Sequence, residues 1–414
     1  MADARRQQHD DEETVDLERA TIGLVLTGGG ARGAYEAGVL SVLLPALIEQ
    51  NQQPRLIVGT SAGALNAVLF TTLLAEGGRP QDAAAKALDT WRRVDREHVI
   101  RPVLSSAAFA AGRYLAELLR MPVRVTALLD TTPLRNTVHE FLRDGKLRTS
   151  IGADRPVRAV AITATSSTRG RTVVFVEGTP PRKLPYVDEE RAIDYLPATL
   201  NADHVLASAA VPVAFRPVHI DEPEEARGWY LDGGVRMNAP IKPAIELGAD
   251  RVVIVGTDPL AGPDRGTPEE PDIFDSVARI LNAALVDRMV EDVNTLRKLN
   301  KAREEHDAAG EGSEEFPYQL IRYLYAGPPT AGQLGRLATE VYQARFGNVL
   351  QRLLSPDYPA LSLALGRTGA AHGELLSYLF FHRDFIEEAI RLGQQHAEDL
   401  LKSSPSGIPW RTSS

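Results

Sequence analysis

Apolar residues along this chain fall into short runs that end on glycine, and each early run is followed by a segment in which they recur at helical spacing. Thr21 to Thr27 (T-I-G-L-V-L-T) reads as a buried strand that runs straight into Gly28-Gly29-Gly30-Ala31-Arg32-Gly33. Ala34 to Gln50 then carries Tyr35, Val39, Val42, Leu43, Ala46 and Leu47 on a helical period. Gln53 to Gly59 supplies the next strand and Ala62 to Ala75 the next helix. Strand-turn-helix twice in succession argues for an α/β fold, with a mainly parallel central sheet flanked by helices. Gln81 to Val94 reads as a further helix, and Leu128 to Leu142 as one that Asp130 or Thr131 can cap. Between them, His98 to Arg124 loosens into an alanine-rich stretch that fits a cap over an active site or an ordinary surface helical pair.

Val157 to Ser167 and Thr172 to Gly178 are β-rich runs parted by T-R-G-R, the pattern of a hairpin. Asn201 to Ala210 is a short helix stopped by Pro212, and Trp229-Tyr230-Leu231 is a short strand that enters Asp232-Gly233-Gly234. Arg251 to Gly256 is another core strand, after which the sheet is expected to close near Pro259. Ala261 to Pro271 has the prolines and acids of a linker. Beyond it Ile273 to His306 reads as a long amphipathic helix, Tyr318 to Tyr325 as a strand, and Thr330 to Leu354 and Glu374 to Leu401 as helices. The implied organisation is a disordered tail over 1–20, a domain over 22–258, a mostly helical extension over 261–402 and a mobile tail over 403–414.

Composition narrows the function classes. The chain has 414 residues, 43% hydrophobic and 24% charged, the balance of an ordinary globular protein. A formal net charge of -9 gives no surface for a polyanion, so nucleic acid is not an expected partner. With no cysteine, disulfides, thiol nucleophiles and Cys-ligated zinc are excluded. The first 20 residues lack the apolar core of a leader or anchor, and no apolar run reaches the roughly 18 residues of a spanning helix. The expectation is a cytoplasmic protein, with peripheral contact to membranes left open.

Leu56 to Asn66 (L-I-V-G-T-S-A-G-A-L-N) carries the chemistry. A serine on a sharp strand-to-helix turn is exposed to substrate, and small neighbours such as Gly59 and Gly63 are needed because the backbone is crowded there. Ser61 is the candidate nucleophile. Gly28, Gly29 and Gly30, with Ala62 at the start of the following helix, are the candidate oxyanion hole: without Cβ atoms, successive N–H groups can converge on one oxygen. The same glycine run also fits a dinucleotide-binding turn, but that fingerprint wants an acid closing the second strand, and here the second strand closes on Gly59-Thr60-Ser61. The base has to come from elsewhere. None of the nine histidines sits in a motif that marks it. Asp232 ends a strand, and Gly233 and Gly234 behind it permit a tight turn that leaves its carboxylate open.

With these three elements in this order, residues 22 to 258 resemble the patatin-like phospholipase family. The matching residues are Gly28 to Gly33, Gly59 to Gly63 and Asp232 to Gly234, the last standing where the family also accepts alanine. The resemblance implies a Ser61-Asp232 dyad without histidine, an acyl-enzyme, a phospholipid or other acyl ester as substrate, no cofactor, and modest turnover, because an ordinary carboxylate with a pKa about 3.9 is a weak base for a hydroxyl. Arg32 either orients the glycine loop, faces an anionic head group, or is simply salt-bridged. No oxygen-ligand loop for calcium is present. The rivals are an esterase or thioesterase with a Ser-His-Asp triad, and a catalytically silent protein that keeps the fold as a scaffold. Head-group preference and oligomeric state are not legible.

Overall fold

The computed structural model describes residues 20–102, 127–142, 146–185, 187–260, 288–309, 318–365, 370–404 and 407–413. The expected N-terminal tail, most of the alanine-rich stretch, the linker and the first half of the long helix lie outside the described residues.

Among the described residues, ten strands form one sheet: β1 Ile22–Leu26, β2 Pro54–Thr60, β3 Ala159–Ser166, β4 Thr172–Gly178, β5 Val187–Asp188, β6 Ile193–Pro197, β7 Val218–Ile220, β8 Gly228–Asp232, β9 Arg251–Val255 and β10 Arg322–Ala326. Their order is β10-β9-β1-β2-β3-β4-β6-β5, with β7 and β8 off this path and β8 on β3. The pairs from β10 to β3 are all parallel, and the hairpin read at 157–178 is the antiparallel β3–β4 pair.

Both faces of the sheet are covered, which is why its strands read as unbroken apolar runs. Side chains sort by strand period. Leu24 and Leu26, Ile57, Val160 and Ile162, and Val253 and Val255 enter one core, while Val25, Leu56 and Val58, Ala161, and Val252 and Ile254 enter the other. Helices Gly33–Glu49, Ala62–Ala75, Pro80–Arg92 and Arg383–Lys402 fill the first core, and helices Ile241–Glu246 and Arg288–Ala308 lie against the second.

The sheet does not close near Pro259. β10 pairs in parallel with β9 and extends it by a strand. The strand was visible locally, but its partner is set by long-range pairing. Nor does the change of sequence character near 258–261 separate two cores. Phe385, Ile386, Ala389 and Ile390 are buried in the same cluster as Tyr35, Val39 and Leu43, and the Tyr35 hydroxyl lies 2.9 Å from His396 Nδ1. Among the described residues, one helix, Gly30–Glu49, is long and apolar enough to cross a membrane, and most of it is buried in this core.

That helix holds a buried acid. Glu36 accepts from the Thr27 N–H at 2.9 Å and from Asn66 Nδ2 at 2.6 Å, so it ties the end of β1 to helix Ala62–Ala75. Burial pushes its carboxyl up to about 8, against the pull of these two hydrogen bonds. The folded value lies above the ordinary 4.5, so the stability linked to Glu36 is complete below that pH and is lost as pH rises through about 8. Glu36→Gln, whatever its absolute stability, should therefore show a smaller drop in melting temperature than the parent between about pH 5 and pH 8. Equal drops in a thermal scan would contradict this.

Candidate active site

β2 delivers Ser61 at its end, and helix Ala62–Ala75 begins at the next residue. Ser61 has φ 54° and ψ -121°, a backbone state that a side chain rarely adopts and that the sharp reversal imposes. The turn closes because its flanks are glycines: a Cβ on Gly59 would lie 2.4 Å from the Gly63 oxygen, and one on Gly63 2.4 Å from the Leu26 oxygen. The Ser61 N–H donates to Ser208 Oγ at 2.8 Å, which pins the turn to helix Ala202–Ser208.

Asp232 reaches Ser61 through β3. β2 pairs with β3 up to Thr60 opposite Thr163, and β4 occupies the other edge of β3 as far as Thr165. β8 pairs with Ala164 to Ser166, so it takes up the edge that β2 leaves, with Asp232 opposite Ala164. The last residue of β8 therefore abuts the first residue after β2. Ser61 Oγ donates to Asp232 Oδ2 at 2.6 Å, the Gly234 N–H donates to Oδ1 at 2.7 Å, and Thr165 Oγ1 donates to the Asp232 carbonyl at 2.9 Å. Gly233 fits against β3, where a Cβ would lie 2.4 Å from the Thr163 oxygen. Burial pushes the Asp232 carboxyl up to about 6, and the bonds from Ser61 and Gly234 oppose a larger rise. This carboxylate is thus a stronger base than the ordinary one expected from sequence.

The glycine loop lies beside the serine, with a Cβ on Gly28 meeting Ser61 Cβ at 3.0 Å. Gly28 itself is not a free donor, because its N–H is already given to Asn238 Oδ1 at 2.9 Å. This bond anchors Gly28 at the start of the loop. The N–H groups of Gly29, Gly30 and Ala62 make no hydrogen bond to a described residue. Gly33 seats the loop on the elbow, where a Cβ would meet Ala62 Cβ at 2.9 Å.

Arg32 is fully buried, so it does not face a head group. Its Nη1 donates to both oxygens of Asp258 at 3.2 Å, its Nε donates to Ser377 Oγ at 2.8 Å, and Nη2 pairs with the Glu374 carboxylate. Of the sequence alternatives, this geometry fits both an arginine that orients the loop and one that is simply salt-bridged.

Ser61 opens on a cavity with about 970 Å³ of empty space, its open mouth included. Gly30 and Ala62 share its lining, and the remainder is mostly apolar, with Leu65, Leu69, Val138, Val205 and Phe215 among its walls. Among the described residues, no histidine hydrogen-bonds Ser61 or Asp232. His204 is turned to the Glu222 carbonyl, His372 to Ser362 and His396 to Tyr35, and burial lowers His204 to about 4. Asn238 and Ser208 were missed by the sequence reading. Neither stands in a motif, and each meets its partner across more than a hundred residues.

A serine at a strained strand-to-helix turn on a mostly parallel sheet, opening on an apolar cavity, defines the class of α/β acyl hydrolases. The family model for patatin-like phospholipase matches residues 24–245, more than half of the chain, and the protein belongs to that family. It is a lipid acyl ester hydrolase. No curated protein matches significantly in sequence. Similar solved structures include VipD from Legionella pneumophila, at 13% identity over 94% of this chain and 88% of that one, with a TM-score of 0.27. Human GIVD cytosolic phospholipase A2 in complex with methyl gamma-linolenyl fluorophosphonate is 15% identical over 92% of this chain and 60% of its own, with a TM-score of 0.31. The ExoU–SpcU complex of Pseudomonas aeruginosa is 17% identical over 87% and 74%, with a TM-score of 0.25.

The elbow geometry makes one substitution diagnostic. Gly63→Ala drives a methyl group against main-chain oxygens that belong to the sheet, so it should destabilise the fold by about 1–3 kcal/mol in urea titration. An unchanged midpoint would mean that the turn is looser than its contacts indicate.

Proposed function

We propose that Ser61 is the nucleophile and Asp232 the general base of this hydrolase, acting on phospholipids or related long-chain acyl esters. The single observation that carries the reading is the 2.6 Å hydrogen bond from Ser61 Oγ to a buried carboxylate, at the foot of an apolar cavity. Ser61 Oγ attacks the ester carbonyl while its proton passes to Asp232 Oδ2. The carbonyl oxygen takes the negative charge and lies against the free N–H groups of Gly29, Gly30 and Ala62. Collapse expels the alcohol, which takes the proton back from Asp232, and leaves an acyl-enzyme. A water then adds to the acyl carbonyl with Asp232 again accepting the proton, and the second collapse returns it to Ser61 and frees the fatty acid.

Three features support these assignments. The raised carboxyl of Asp232 is mostly ionised at neutral pH and yet basic enough to help the hydroxyl. The dipole of helix Ala62–Ala75 points its positive end at Ser61 and favours charge developing there. The apolar walls offer a place for an acyl chain without polar groups to satisfy. Leu128 and Val213, 52% and 72% exposed, lie next to the cavity residues Val211 and Phe215 in the chain or through the Leu128 N–H to Val213 oxygen bond, which supports peripheral contact with a lipid surface.

Ser61→Ala and Asp232→Asn should each lower kcat on a p-nitrophenyl ester by about 10³-fold or more. A fluorophosphonate probe should label the parent and not Ser61→Ala. A histidine variant as dead as Ser61→Ala would favour a triad, and a parent that neither labels nor hydrolyses any of a mixed-lipid panel would favour a silent scaffold. For pH, the active form is the ionised one, so kcat/KM should be flat above about 6 and fall tenfold per unit below it. A profile that is flat down to pH 4 would remove Asp232 as the base.

A further inference from the structure

The family match ends at residue 245, but the glycine loop is braced by groups that lie far beyond it. Helix Ala370–Leu379 presents Glu374, Ser377 and Tyr378 to Arg32, the residue that closes the loop. The Ser377 hydroxyl accepts from Arg32 Nε at 2.8 Å and itself donates to the Glu374 carbonyl. The same carbonyl accepts from Arg32 Nη2 at 3.3 Å, and the Glu374 carboxylate takes a second bond from that nitrogen. The guanidinium lies 4.0 Å over the Tyr378 ring, against the last turn of the helix, where the negative end of the helix dipole favours a cation. The helix backbone also touches the loop directly. Gly30 has φ +56°, and a Cβ there would stand 2.2 Å from the Tyr378 oxygen.

We propose that Glu374 and Ser377 are positioning residues for hydrolysis: through Arg32 they hold Gly29 and Gly30 with their N–H groups turned to the substrate carbonyl. The inference rests on the reading of those amides as oxyanion donors. It gives the C-terminal helices a part in the chemistry and makes the seat of helix Ala370–Leu379 a control point, since anything that lifts it unseats the loop.

Gly29 and Gly30 have no side chain to anchor them, so the orientation of their amides depends on what lies behind them. The adjoining fixed points are the Gly28 bond to Asn238 before the loop and the Arg32 contacts after it. Arg32, fully buried, has no water to fall back on, so its donors dictate where the loop can sit. Two carboxylates share this one cation, Asp258 and Glu374. Loss of Glu374 therefore leaves Arg32 paired with Asp258, and the fold keeps a neutral pair at its centre. The cost should appear as poorer placement of the amides, not as unfolding.

The test uses the full chain and compares Glu374→Gln and Ser377→Ala with the parent, with Ser61→Ala as the control. On a short p-nitrophenyl ester, Glu374→Gln and Ser377→Ala should lower kcat by about 10–100-fold and leave KM within about twofold, because a misplacement on the order of 1 Å has that effect on rate. Hydrogen exchange in the peptide that holds Gly28 to Arg32 should quicken in both, while the melting temperature stays close to that of the parent. Unchanged kcat in Glu374→Gln and Ser377→Ala, with Ser61→Ala inactive, would overturn the proposal and leave the Ser61 reading standing. Equal loss of kcat and rise of KM with no change in loop exchange would also overturn it. Full activity in Ser61→Ala would end both.

Discussion

The structure depends on one shared edge. β3 offers a single line of hydrogen-bonding groups to two strands that reach it from opposite directions in the chain, β2 until Thr163 and β8 from Ala164. Because backbone pairing fixes register to the residue, the hydroxyl that follows β2 and the carboxylate that ends β8 are brought within 2.6 Å without any long side chain to bridge a gap. Both side chains are short, so a slip of one residue on either strand would part them and turn alternate side chains to the wrong face. The two apolar cores on either side of the sheet oppose such a slip, since the apolar residues of β1, β2, β3 and β9 alternate between one and the other.

Charge is handled differently at the two ends of the site. Among the described residues Asp232 has no cation bonded to it, only the hydroxyl of Ser61 and the N–H of Gly234, and burial raises its affinity for a proton. A nearby guanidinium would have lowered that affinity and made a worse base. Arg32, the buried cation of the glycine loop, is instead paired with both Asp258 and Glu374. Burial holds the Asp258 carboxyl above its ordinary range in spite of that cation. In the proposed mechanism the positive group serves as a mechanical tie and the oxyanion is left to main-chain amides and the helix end, neither of which competes with the base for its proton.

Much of this was legible in the sequence where the requirement is local. A serine elbow needs glycine two positions before and after it, and a strand buried on both faces needs an unbroken apolar run, so residues 22–33 and 54–66 announce themselves. D-G-G at 232–234 is a common turn and acquired meaning only beside the other two motifs. What could not be read was every contact made at long range. Asn238 takes the Gly28 amide from 210 residues away, a bond of which the glycine run gives no sign. Ser377 meets Arg32 across 345 residues, and an arginine in a glycine loop gives no sign that it is fully buried. β10 shows its alternation in sequence but not that it pairs with β9, so the sheet looked complete one strand early.

The central claim is spatial: Ser61, Asp232 and the amides of Gly29, Gly30 and Ala62 surround one carbonyl. A crystal structure of the protein after reaction with a long-chain alkyl fluorophosphonate tests it most directly. The account predicts phosphorus bonded to Ser61 Oγ, the phosphonyl oxygen about 3 Å from at least two of the three amide nitrogens, and the alkyl chain in the apolar cavity. Phosphorus on another residue, or a phosphonyl oxygen turned away from all three amides, would contradict it.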